Sequence, residues 1–182
     1  LERMKKLCHQ TWLQATLVQR HGIAANLEFL TPGEFVTRAL RSNLGPDHDD
    51  LDAATLAWRL YASLNDAPLL AQPALASLAT YLGDGDPLKA WTLAVELAGV
   101  FEKYQAWRRD WLLRWEAGAD PHDLQAVLWR RVAGGRRHRA RRLQEYLTRF
   151  DEGDAVPLGL PTRLFAFGTI NVSPDVLRVM AS

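Results

Sequence analysis

LKAWTLAVELAGVFEKYQAWRRDWLLRW, Leu88 to Trp115, decides the fold class. Leu97, Val100, Phe101, Tyr104, Trp111 and Trp115 recur at three-, four- and seven-residue intervals, so they fall on one broad face of a helix. The stretch is therefore the longest helical element of the chain, with a break expected near Arg109-Asp110 and an end at Gly118.

The same periodicity extends outward in both directions. Upstream, Leu13 and Leu17 with Trp12 mark an amphipathic first helix, preceded by the charged, helix-forming Leu1 to Gln10 and ending near His21-Gly22. Ile23 to Pro32 is apolar and rich in turn formers, and a short helix carrying Phe35, Val36 and Leu40 follows. Asp49, Asp50 and Asp52 place carboxylates at the start of the next helix, whose Leu56, Leu60 and Leu64 repeat every four residues. Another helix runs from Pro73 to Leu82 and stops at Gly83. Downstream, Asp120-Pro121 opens a helix through Leu124, Val127 and Leu128 that ends at Gly134-Gly135, and an arginine-rich helix runs to about Phe150. Arg163 to Gly168 reads as one short strand, apolar enough to be buried and parallel. Ser173-Pro174-Asp175 then opens a helix with room for roughly two turns. The expectation is a mainly α chain, closed by a strand whose partners lie outside it or come partly from its N-terminus.

With 182 residues, 48% of them hydrophobic, the chain can build one sizeable core. A single cysteine, Cys8, excludes an internal disulfide, and no leader is evident, so a reduced, cytoplasmic protein is expected. No apolar run approaches the roughly 18 to 20 residues that a membrane helix needs. The chain starts without methionine and stops inside a starting helix, which reads as a fragment of a longer protein.

The formal net charge of +1 conceals an asymmetry. Residues 26–102 sum to −7 and residues 103–149 to +7, which points to a polyanionic or oppositely charged partner. The basic block is densest at RRVAGGRRHRARR, Arg130 to Arg142. There, Arg139 shares a helix face with Leu143, Leu147 and Phe150, whereas Arg137, His138, Arg141 and Arg142 point elsewhere. Arg139 is thus the arginine its own helix turns toward an apolar seam, and Arg108, four residues after Tyr104, is the matching case. Each would take a carboxylate, a phosphate, or a position with its stem on the seam and its head in water. Trp107, Trp111 and Trp115 repeat at i, i+4 and could stack on unpaired bases, but the face continues into Leu97 and Phe101, which assigns the stripe to the core.

Catalytic chemistry finds little support. No phosphate loop of the G-x-x-x-x-G-K-[ST] type is present, and Gly83-Asp84-Gly85-Asp86 reads as a surface turn with a helix cap rather than a calcium loop. His9, His21, His48, His122 and His138 are scattered without metal-ligand spacing. Ser63, Ser77 and Ser173 lack nucleophile-elbow glycines.

Several blocks together resemble the N-terminal region of the RecC family, the gamma subunit of bacterial exodeoxyribonuclease V. They are Trp12-Leu13-Gln14 with Thr16-Leu17; His21-Gly22-Ile23-Ala24-Ala25-Asn26 and Phe29; Tyr104, Arg108, Asp110-Trp111-Leu112, Trp115-Glu116 and Gly118; His138-Arg139-Ala140; and Gly159-Leu160-Pro161 with Arg163, Phe165 and Gly168. The resemblance implies a superfamily 1 helicase-like architecture with its ATPase site lost. Residues 33–155 would form the helical 1B-like subdomain, while 1–32 and 156–182 would supply a small α/β, 1A-like remnant holding the strand at 163–168 and the truncated helix. It implies a non-catalytic subunit with no cofactor in this chain, which binds RecB and RecD, helps split forked DNA, guides the 3′-ended single strand and scans it for Chi during recombinational repair. Positions matching the strand-reading surface are Thr31, Thr37, Gly99, Val100, Glu102, Arg108 and Arg139. Thr31 and Thr37 replace bulky apolar residues there and Gly99 replaces an acid, so the sequence read would differ from the familiar Chi. The alternative is a helical protein-interaction module whose basic face meets an acidic partner and no DNA.

Overall fold

The computed structural model describes residues 2–47, 51–150, 155–161, 163–166 and 172–182. The chain divides into two units, Leu1–Phe35 and Val36–Ser182.

In the first unit, α1 (Glu2–His21) ends where expected: Gly22 takes a left-handed φ of +77° and donates its N–H to the Val18 carbonyl. Leu13 and Leu17 are half-buried and Trp12 is exposed. α2 (Pro32–Leu44) begins in this unit, and Thr31 builds its start. The Thr31 hydroxyl donates to the Glu34 carboxylate at 2.8 Å and accepts from the Glu34 N–H at 3.2 Å, while the Thr31 N–H reaches the same carboxylate at 2.6 Å. This is a reciprocal capping box with proline at the first helical position.

The second unit is built on α3 (Ala53–Leu64) packed along α6 (Pro87–Trp107). α6 turns Ala90, Ala94, Ala98, Phe101 and Gln105 inward. That is a smaller face than the sequence suggests, since Leu97 and Tyr104 are only partly buried and Val100 lies on the flank. Three alanines at four-residue spacing let the α3 backbone approach closely, and Leu56, Leu60 and Leu64 fill the seam. Asp52 caps α3 through the Thr55 N–H at 2.7 Å, and Asp49 and Asp50 lie outside the described residues. α4 (Ala67–Leu70), a 3₁₀ turn at Pro73–Leu75 and α5 (Ala76–Tyr81) close one end. The expected helix over 73–82 is thus two pieces, jointed at Leu75-Ala76. Gly85 at φ +70° and Asp86, which caps α6 through Leu88 N–H, form the anticipated turn and cap.

α6 ends one residue earlier than expected. Arg108 sits at φ −136°, ψ 42°; its N–H closes α6 on the Tyr104 carbonyl, and its own carbonyl accepts from Trp111 and Leu112 to open α7 (Arg109–Glu116). α8 (Leu124–Ala133) starts at Asp123, not at Asp120-Pro121. Asp120 has a positive φ of 53°, which breaks the helical path, whereas the Asp123 carboxylate accepts from the Ala126 N–H at 2.9 Å. Asp123→Ala is expected to cost about 1 kcal/mol, the usual price of a lost cap, measured by urea denaturation followed by far-UV circular dichroism. α9 (Arg139–Phe150) and α10 (Pro174–Ala181) complete the unit.

Among the described residues there is no β-strand, and of the strand expected at 163–168, with partners outside the chain or partly at its N-terminus, only 163–166 are described. Residues 163–166 pair with no neighbour and Phe165 is 87% exposed; residues 167 and 168 lie outside the described set. A strand is defined by the hydrogen bonds of its neighbours, and the described residues supply none. No helix among the described residues is long and apolar enough to cross a membrane.

Candidate nucleic-acid interface

The basic block folds into α7, α8 and α9, which pack around one carboxylate. Glu116, nearly buried at the end of α7, accepts from His138 Nε2 at 2.6 Å, from Trp129 Nε1 at 2.8 Å and from Arg141 Nε. Burial pushes the Glu116 carboxyl up, but the His138 hydrogen bond and charge, together with the bonds from Trp129 and Arg141, outweigh it and hold the group below the ordinary glutamate range. His138 is fully buried, edge-on to Trp129 with ring centroids 5.0 Å apart. Glu116 therefore pins the first turn of α9 to the end of α7.

The arginine that enters the interior is Arg142, not Arg139. Arg142 is 3% exposed, donates to the Gly45 carbonyl at 2.6 Å and pairs with Asp47 at 2.7 Å. Arg139 is only half-buried. Its angle does match Leu143 and Phe150, as the sequence indicates, but it occupies the first residue of α9. A helical side chain leans toward the N-terminus, so it extends beyond the end of the seam. Arg142, on the edge of the buried face, is enclosed because the segment after α2 folds over it and presents its carbonyls.

Most of the basic block is neutralised inside the fold. Arg109 pairs with Asp175, Arg114 with Asp120, Arg131 with Asp66 and Arg137 with Glu145, besides Arg141 and Arg142. Arg130 binds the Trp115 and Ala119 carbonyls. Lys103, Arg108, Arg139 and Arg149 have no ion pair among the described residues, although Arg149 reaches the Asn43 carbonyl at 3.4 Å. Arg108 is exposed; it donates to the neighbouring Trp107 carbonyl and lies 5.3 Å from the Trp111 ring centroid. Arg108 is the residue before α7, whereas Arg139 opens α9 next to His138, which bonds Glu116 at the last residue of α7.

The other matched positions are less united. On α6, Gly99 and Glu102 share one outer flank, and a Cβ added at Gly99 would meet open space. Val100 lies roughly 100° around the helix from Gly99, on the flank of Lys103 and Trp107. Thr37 is exposed on α2, and Thr31 is engaged in its capping box. The aromatic stripe also divides. Trp115 is 4% exposed and its indole N–H donates to Asp120 at 3.0 Å, whereas Trp111 and Trp107 are 37% and 44% exposed. The break at Arg108 destroys the i, i+4 phase that would have put Trp107 in the core. The capping box was legible as Thr31-Pro32-Gly33-Glu34; the role of Glu116 was not, because its partners are distant in sequence.

Comparison with known proteins identifies the family. Residues 7–182 match the family model described as RecC, N-terminal domain. The chain is 30% identical over 185 residues to the RecBCD enzyme subunit RecC of Escherichia coli (strain K12), covering 93% of this chain and 16% of that protein. It is 26% identical to the RecBCD enzyme subunit RecC of Haemophilus influenzae, covering 93% of this chain and 18% of that protein. The corresponding subunit of Mycolicibacterium smegmatis is 28% identical, over 87% of this chain and 15% of that protein. The chain thus spans less than a fifth of the length of these relatives, and over that span it belongs to the RecC N-terminal domain family.

Proposed function

We propose that this chain is the DNA-handling, non-catalytic N-terminal part of an exodeoxyribonuclease V gamma subunit in the cytoplasm. In this reading residues 33–155 act as the helical 1B-like subdomain, flanked by 1A-like segments at 1–32 and 156–182. The whole guides the 3′-ended strand of forked DNA, scans it for a Chi-like sequence, and works beside RecB and RecD. One observation carries the reading: in a basic block whose other arginines mostly pair with acids or carbonyls, the two arginines singled out by the resemblance, Arg108 and Arg139, are left without an ion pair among the described residues. Charges that a fold leaves unneutralised are available to phosphates.

Arg108→Ala combined with Arg139→Ala, in the intact multi-subunit enzyme, is expected to weaken single-strand binding and to flatten its salt dependence. Two phosphate contacts contribute about 1.4 to the slope of log K against log salt for single strands. An unchanged slope with an unchanged Chi response would refute the assignment and leave the protein-interaction reading, in which the basic face meets an acidic subunit.

A further inference from the structure

We infer that Trp111 and Trp107 form a base-stacking platform for unpaired DNA at the α6–α7 break, a role that rests on the DNA-binding reading above and extends it from phosphates to bases. Trp111 is a ring held in place yet partly open. Tyr104 packs against it edge-on at 5.6 Å and Trp115 at 6.3 Å. Both supports are themselves tied down, Tyr104 by its hydroxyl to Gln125 Oε1 at 3.0 Å and Trp115 by its indole N–H to Asp120. More than a third of Trp111 remains exposed, with the Arg108 guanidinium over its ring. A ring immobilised before binding loses little entropy when a base stacks on it, and an arginine beside it adds cation–π attraction and a phosphate contact.

The approach to this step has a matching character. Val100, Lys103 and Trp107 follow one another at i, i+3 and i+7 on one outer flank of α6, so an apolar contact, an exposed cation and an exposed indole lead toward Arg108. Stacking needs no sequence-specific hydrogen bond, so this platform would hold any unpaired base and leave discrimination to other positions. A second aromatic pair, exposed Trp58 and partly buried Trp91, has centroids 4.7 Å apart, but among the described residues no cation lies over either ring. It also falls in the acidic part of the sequence. Among the described residues, the other exposed ring under a cation is Tyr81, whose Lys89 is paired with Asp84, whereas Arg108 over Trp111 has no ion pair.

The test uses the intact enzyme and a single-stranded oligodeoxythymidine carrying 5-iodouracil, which photocrosslinks to aromatic rings that stack on it. Trypsin separates the two indoles, Trp107 in residues 104–108 and Trp111 in residues 110–114. Crosslinks on either peptide support the platform, and crosslinks confined to other peptides overturn it. In parallel, Trp107→Ala and Trp111→Ala should each weaken binding about tenfold, with the salt slope unchanged because stacking releases no counterions. The loss should vanish on a strand with abasic sites. If alanine prevents assembly, Phe and Leu replacements serve instead: Phe must retain binding and Leu must lose it. Should the tryptophan variants bind normally while the double arginine variant does not, the platform is wrong and the DNA reading stands; if both sets bind normally, both fall.

Discussion

Glu116→Ala is expected to destabilise the second unit by about 3–5 kcal/mol, the usual cost of removing one partner from a buried charged cluster. The carboxylate is the common acceptor for His138, Trp129 and Arg141. His138 and Trp129 are fully buried, so without it the indole N–H and the imidazole remain in the interior with nothing to bond. Glu116→Gln keeps one acceptor oxygen and the shape of the side chain, and should lose less. The pH dependence follows from the sign of the shift. The folded-state pKa of Glu116 lies below its ordinary value of 4.5, so the unfolded chain binds the proton more readily. The stabilisation is complete above the ordinary value and is lost as the pH falls through the depressed one. Urea denaturation at a series of pH values should show the gap between the parent and Glu116→Ala narrowing below pH 4.5; a gap that stays constant to pH 3 would contradict the charged-acceptor account.

Arg142→Ala should be nearly as damaging, again about 3–5 kcal/mol, whereas Arg139→Ala should change stability by no more than about 0.5 kcal/mol. Arg142 satisfies the Gly45 carbonyl, reaches the Leu40 carbonyl at 3.4 Å and pairs with Asp47, joining the segment after α2 to α9. Its loss leaves those carbonyls beside an empty space with no donor. Arg139 has no ion pair to lose among the described residues, so its replacement should appear in DNA affinity and not in the unfolding curve. The two arginines, three residues apart on one helix, therefore separate a structural role from a binding role. Equal destabilisation by the two substitutions would contradict the burial described above.

Much of the helical organisation was legible because it depends on local chemistry. The Gly22 cap, the Asp52 and Asp86 caps, the break near Arg108 and the arginine helix ending at Phe150 all follow from residues within a few positions of one another. Errors arose where distant elements decide the outcome. Asp120-Pro121 has a good helix-opening composition, yet Asp120 serves Arg114 and Trp115 instead, and the helix waits for Asp123. The apolar run at 163–166 has the composition of a strand and lacks a partner among the described residues to make it one. Helical angle turned Arg139 toward the apolar seam and left Arg142 aside, since angle records direction and not what covers each flank.

By itself the sequence determined the mainly helical class, the acidic and basic blocks and the resemblance to RecC, because propensity, capping and charge are properties of neighbouring residues. Tertiary structure alone decided which cations are spent. Pairing Arg142 with Asp47, Arg109 with Asp175 and Arg131 with Asp66 brings together groups 65 to 95 residues apart, and no periodicity encodes such distances. The ion pairs form wherever packing delivers an acid. Among the described residues packing delivers no acid to Arg108 or Arg139, nor to Lys103 and Arg149.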